Sequence, residues 1–184
     1  KEKVVQNMEV SRPLYTIGIK CKTLDFEDIP DKIVRKHIAI QILMNLIFGE
    51  SSQLYRNLYD SGNISYTPNM DYEFSKKYAH ILITGQANDP EILYNEFKQT
   101  INEFKEKGIN EDDFLRVKKM IYGDYVKEYN DVTDIARMFL SDYFKGINTF
   151  EYLEQIGTVD LQYANDILNK VFEENKMILS VIKS

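Results

Sequence analysis

The chain has 184 residues, 43% of them hydrophobic and 28% charged, a globular balance that excludes disordered and fibrous classes. Its 23 lysines and arginines against 29 aspartates and glutamates leave a net charge of −6, which argues against nucleic-acid backbone binding. One cysteine, Cys21, excludes an internal disulfide framework, and the longest apolar stretch, Ile38 to Phe48, falls short of the roughly 20 residues of a bilayer span.

Residues 14–21 follow Pro13, are β-branched and aromatic-rich, and predict a strand. Asp28 to Phe48 predicts a long helix. Pro30 sits in its first turn, Asp28 and Asp31 add favourable charge there, and Gly49 stops it. Apolar residues reach nearly every face toward its end, so deep packing is expected. Ser51 and Ser52 can cap a shorter helix to Ser61, and Asp60-Ser61-Gly62-Asn63 is a turn signal. Residues 64–74 alternate apolar and polar, which predicts a half-buried strand marked by Pro68. Residues 78–86 predict its antiparallel partner in a hairpin.

Helical signal dominates from Asp89. One helix is predicted from Pro90 to Lys107, ended by Gly108, and the next starts at the Asn110 cap. Further helices are expected at 131–145, 149–156 and 159–173, then a strand at 177–182. No linker-like stretch divides the chain, so residues 1–184 read as a single domain. The order lacks the alternation of a doubly wound parallel sheet. It predicts an α+β two-layer sandwich, a largely antiparallel sheet with helices packed on one face.

No self-contained active site is evident. His37 and His80 are the only histidines and belong to no H-x-x-E-H or H-E-x-x-H motif. His37 reads as a packed or interface histidine, and His80 as a satisfied core or edge one. No metal ligand set and no nucleotide or nucleophile motif appears. Asp112-Asp113 reads as the first turn of a helix, Lys76-Lys77 and Lys118-Lys119 as solvated doublets.

One segment carries more. Gly49-Glu50-Ser51-Ser52-Gln53-Leu54-Tyr55, leading through Leu58 and Gly62 to Ile64 and Tyr66, resembles the G-x-S-S-x-L-(F/Y)…L…G-(L/I)-x-Y element of the insulinase/mitochondrial-processing-peptidase family of zinc metallopeptidases, the inverzincins. Ile109 to Phe114 followed by Lys118, and Gly157-Thr158-Val159-Asp160, are similar to its later elements. The wording Leu54 to Gly62 looks most like bacterial processing-protease-like members. The resemblance implies a metallopeptidase half-domain of the LuxS/processing-peptidase-like type, in proteins built from two such halves. One half binds zinc through H-x-x-E-H and a later Glu. The other lacks these ligands and closes over the substrate. Lacking the motif, this chain resembles the second, C-terminal half.

On that resemblance, no cofactor is expected in this chain and zinc belongs to the other half. The expected partners are its own N-terminal catalytic half and a peptide or protein substrate, with homo- or heterodimerisation open and no nucleic acid or membrane. Tyr66 matches the family's substrate-contacting Tyr. Seven residues earlier, where the family has Arg, stands Tyr59, and Arg56 one helical turn before is a candidate substitute. Against this, the alternation of residues 64–74 would make Tyr66 a core side chain unless a bulge near Pro68 shifts it. The chain is thus expected to be inactive alone, the non-catalytic half of a zinc-dependent metalloendopeptidase. The alternative is a scaffold or binding module from a proteolytically inactive relative. The start at Lys1 reads as that of an excised piece, and the acidic balance and lone cysteine suit a cytoplasmic bacterial protein.

Overall fold

The computed structural model describes residues 3–22, 30–75 and 77–184. Five strands form one sheet: β1 (Lys3–Asn7), β2 (Leu14–Lys20), β3 (Asn69–Phe74), β4 (Ala79–Gln86) and β5 (Met177–Lys183), in the order β1-β5-β2-β4-β3. Three of the four pairings are antiparallel, and only β1 with β5 is parallel. The helices are α1 (Pro30–Phe48), α2 (Gln53–Asp60), α3 (Pro90–Lys107), α4 (Glu111–Glu128), α5 (Val132–Lys145), α6 (Tyr152–Thr158) and α7 (Leu161–Val171). The expected α+β sandwich, a largely antiparallel sheet with helices on one face, is the fold found. The expected helix start at Asp28, with its acidic side chains, and Lys76 lie outside the described residues.

Period-2 alternation sorts the sheet into two faces. Tyr15, Ile17 and Ile19 of β2, Ile81 and Ile83 of β4, and Leu179 and Val181 of β5 are buried on the inner face. On the outer face Leu14, Thr16, Leu82, Thr84, Ile178 and Ile182 are only half-buried. The helix α1 lies within the helical layer, touching β3 as well as α2, α3, α4, α6 and α7. Val34, Ile38, Ile40, Ile42, Leu43, Ile47 and Phe48 are each at most 1% exposed, so the helix is deeply packed toward its end, as its sequence predicts, with Gln41 and Asn45 half-buried at a polar cleft.

Local chemistry sets the ends of the other helices. Ser52 caps α2 by accepting from the Tyr55 amide at 3.0 Å, and Asn110 caps α4 by accepting from the Asp113 amide at 3.0 Å. Asp160 caps α7 in the same way, accepting from the Tyr163 amide at 2.7 Å. Lys118 of α4 donates to the Val159 carbonyl at 2.6 Å and ties that helix to the α6–α7 junction.

Two expectations need correction. The third strand begins at Asn69, not at residue 64. The polar groups of residues 62–65 bond to Arg12, Asn88 and α2 instead of to a sheet ladder, and Pro68 has no amide to donate. The strand β1 was not expected at all. All five of its residues are exposed, so it carries no alternation for a period-2 reading to find.

Phe97 of α3 is fully buried with its ring centroid 6.1 Å from that of Phe48. Phe97→Ala is expected to destabilise the fold by about 3–5 kcal/mol, measured by denaturant unfolding.

Candidate functional site

The candidate site is the segment between α2 and β3. Gly62 turns the chain at φ +72°, a conformation that costs glycine little. The Arg12 guanidinium, reaching from just before β2, then gathers the segment. It donates to the Ser65 hydroxyl at 2.6 Å, the Asn63 carbonyl at 2.8 Å and the Asn88 side-chain oxygen at 3.0 Å. Asn63 is buried and completes the clamp. Its side chain donates to the Asp89 carbonyl at 3.0 Å and accepts from the Asp89 amide at 2.7 Å. Beyond Tyr66, the Thr67 hydroxyl donates to the Glu50 carboxylate at 3.0 Å. Tyr66 is therefore bracketed by two anchored hydroxyls, Ser65 and Thr67, while its own side chain stays 47% exposed.

This exposure corrects the reading of Tyr66 as a core residue. Outside a ladder, strand parity does not apply. Tyr66 instead lines a cleft of about 640 Å³ at the end of the outer sheet face, with Thr16, Asn69, Thr84, Gly85 and Ile182. Tyr15 is among its lining residues, with its side chain buried. An added Cβ at Gly85 would lie 3.0 Å from the Tyr15 hydroxyl oxygen, so glycine is what seats that ring across the strand pair. Burial, with Tyr66 nearby, raises the Tyr15 phenol above its ordinary pKa and keeps it neutral.

Tyr59 and Arg56 are exposed on α2 and are not among the residues lining this cleft. Tyr59 stacks on Tyr55 with centroids 5.8 Å apart, and Arg56 donates to the Gln53 side chain at 3.1 Å. Arg12 is the functional candidate that sequence reasoning missed. Its partners lie more than 50 positions away, and no local motif encodes that meeting.

The described residues do not fit a zinc ion. His37 is half-buried among aromatic rings, its Nδ1 2.7 Å from the Tyr152 hydroxyl. Burial, reinforced by nearby Lys145, lowers its pKa to about 3. It opens on a polar cleft of about 340 Å³ where its neighbours on α1 are the amides Gln41 and Asn45. His80 lies on the outer face of the sheet, stacked on Tyr78, so the sheet separates the two histidines. Cys21 is buried, and burial raises its thiol to about 11, the opposite of an activated nucleophile. Among the described residues no group of three or more His, Cys, Asp or Glu side chains could hold a metal.

The family profile of the peptidase M16 inactive domain matches residues 1–121. The chain belongs to the peptidase M16 family. It is 26% identical over 174 residues to the uncharacterized zinc protease YmfH of Bacillus subtilis, covering 95% of this chain and 39% of that protein. Among solved structures, an M16-like peptidase from Alicyclobacillus acidocaldarius superposes with a TM-score of 0.91 at 21% identity, over 100% of this chain and 43% of that one. A protease from Helicobacter pylori gives 0.81 at 15% identity, over 99% and 44%. The chain thus spans about two fifths of the length of these M16 relatives. The resemblance read from Gly49 to Tyr66 is borne out, and the part matched is the domain described as inactive.

Two predictions follow from this geometry. Arg12→Met should leave the fold intact but speed hydrogen exchange at the Asn88 and Ile64 amides, whose acceptors are the Asn63 and Leu58 carbonyls, at a stability cost of about 1–3 kcal/mol. His37 takes a proton in the unfolded chain near pH 6.5 but in the native state only near 3. Its stabilising contribution is therefore complete above the unfolded value and is lost as pH falls from about 6.5 toward 3, by at most about 1.4 kcal/mol per pH unit. His37→Gln should flatten that part of the stability–pH curve, measured by urea unfolding at each pH.

Proposed function

We propose that this chain is the non-catalytic half of a zinc-dependent metalloendopeptidase. In this reading it closes the substrate chamber and holds an extended peptide along the outer sheet face beside Tyr66. The carrying observation is a solvent-facing phenol, held between two anchored neighbours, at the edge of a cleft that continues onto half-exposed strands. Membership of the M16 family and the longer zinc-protease relative support it.

The chemistry of the metal belongs to the other half. What this chain's own residues contribute is binding and orientation. An extended peptide presents carbonyl oxygens at a regular spacing, and the Thr16 and Thr84 hydroxyls lie in the same cleft as Tyr66. The Tyr66 hydroxyl is a donor that can reach a peptide carbonyl, and the same bond would favour a developing oxyanion. Tyr59 and Arg56, further out on α2, would meet a substrate segment lying beyond the cleft.

The test joins this chain to a zinc-binding half and follows peptide cleavage. Tyr66→Phe should lower kcat/KM about 10–100-fold with an unchanged melting temperature. The chain alone should hydrolyse nothing and retain no stoichiometric zinc. Chelator-sensitive cleavage by the isolated chain with one bound zinc would overturn the proposal. A joined protein that binds peptide without ever cleaving it would make the chain a scaffold module instead.

A further inference from the structure

The outer face of the sheet changes character along its length. At one end stands the cleft of Tyr66, Thr16 and Thr84, which no charged residue lines. At the other end a second cleft, of about 350 Å³, is lined by Lys20, Lys77, Lys176 and His80, with the Tyr78 ring stacked on His80 at 5.6 Å. Three lysines converge there on a chain whose net charge is −6. Their charge is only partly offset. Lys176 pairs with Glu173 at 2.5 Å, and Glu73 of β3 faces His80 across the strand register. Lys20 and Lys77 are exposed, and neither has an acidic partner among the described residues.

The two clefts lie along one strand. Thr16, Gly18 and Lys20 are successive outer-face residues of β2, and Gly18 is flanked by Leu82 on β4 and Ile178 on β5. A Cβ at Gly18 would lie 3.2 Å from the Ile178 Cγ2 and 3.9 Å from the Leu82 Cδ2. Without a side chain there, β2 floors a shallow apolar trough that joins one cleft to the other. Lys20 lies four residues beyond Thr16, ~13 Å at the rise of a strand, and an extended peptide laid along the trough advances at the same rate.

Taking this face as the peptide track proposed above, we infer that it selects peptides bearing an acidic side chain. The carboxylate enters the cleft of Lys20 and Lys77 when the residue four positions away sits beside Tyr66. Ammonium groups on flexible stems are point charges that reach a carboxylate without imposing one geometry. The His80 ring adds an N–H donor. The cleft therefore reads charge and accepts Asp and Glu alike. A carboxylate placed between the two clefts meets only Gly18, Leu82 and Ile178 and gains no partner, so the separation from Tyr66 is read together with the charge.

Fluorescence anisotropy of short labelled peptides on the 184-residue chain tests this. The peptides are Ser/Ala chains carrying one Leu and, four positions to either side of it, Glu, Gln or Lys. At low salt the Glu peptide should bind about 10-fold tighter than the Gln peptide, and the gap should close as salt rises. Moving Glu to two positions from Leu should remove the gain. The double variant Lys20→Glu, Lys77→Glu should reverse the order, so that the Lys peptide binds tighter than the Glu peptide. Its melting should be unchanged, since both side chains are exposed. Tyr66→Ala should weaken all the peptides alike and keep their order. Binding that depends on Tyr66 but shows no preference for Glu, or a preference that survives the charge reversal, would overturn the inference and leave the peptide track standing. Binding indifferent to Tyr66, or no binding of any peptide, would overturn both.

Discussion

Deep burial of α1 from Val34 to Phe48 is the constraint from which the rest of the structure follows. A helix with apolar residues on nearly every face cannot rest on a sheet by one side alone. It must be roofed by further helices, and α2, α3, α4, α6 and α7 all contact it. The whole helical layer therefore gathers on one side of the sheet. The other side is left half-exposed, with residues such as Leu82 and Ile178 neither fully buried nor replaced by charge. A fold that spends its helices on one face keeps an open β-surface as a by-product, and that surface is where Tyr66 stands.

The segment carrying Tyr66 is held by polar bonds rather than by packing. Arg12, Asn63 and Asn88 engage backbone groups that would otherwise enter a ladder or solvent. Hydrogen bonds from a charged guanidinium are stronger than neutral ones, and several converging on one turn fix it more firmly than its exposure would imply. The result is an exposed side chain between two hydrogen-bonded neighbours, Ser65 and Thr67.

Much of the fold was legible in the sequence because its signals are local. Ser52, Asn110 and Gly108 mark helix ends through bonds within a few residues, and the alternation of β2 and β4 reports a sheet with one buried face. Residues 64–68 misled because their pattern is periodic but their hydrogen bonds are not strand bonds. The strand β1 escaped because pairing with β5 is its whole structural basis, and pairing across the length of the chain leaves no trace in five exposed residues. The candidate site was legible only where a local motif marks it. The Gly49–Tyr66 motif singled out Tyr66 as a candidate, while Arg12, which bonds Asn63, Ser65 and Asn88, sits in an unremarkable Ser-Arg-Pro stretch and acts only through tertiary contacts.

The placement of the histidines bears on how labour is divided in this family. His37 is embedded among Tyr72, Phe74 and Tyr152 and hydrogen-bonded to a phenol, and its depressed pKa keeps it neutral by burial rather than by a metal. The polar cleft it opens on is lined by Gln41, Asn45, Asp71, Asp124 and Glu128, but among the described residues no group of three or more His, Cys, Asp or Glu side chains could hold a metal. With His80 across the sheet, no rotamer change brings the two histidines together. The central helix serves mainly packing, through ten buried apolar residues from Val34 to Phe48.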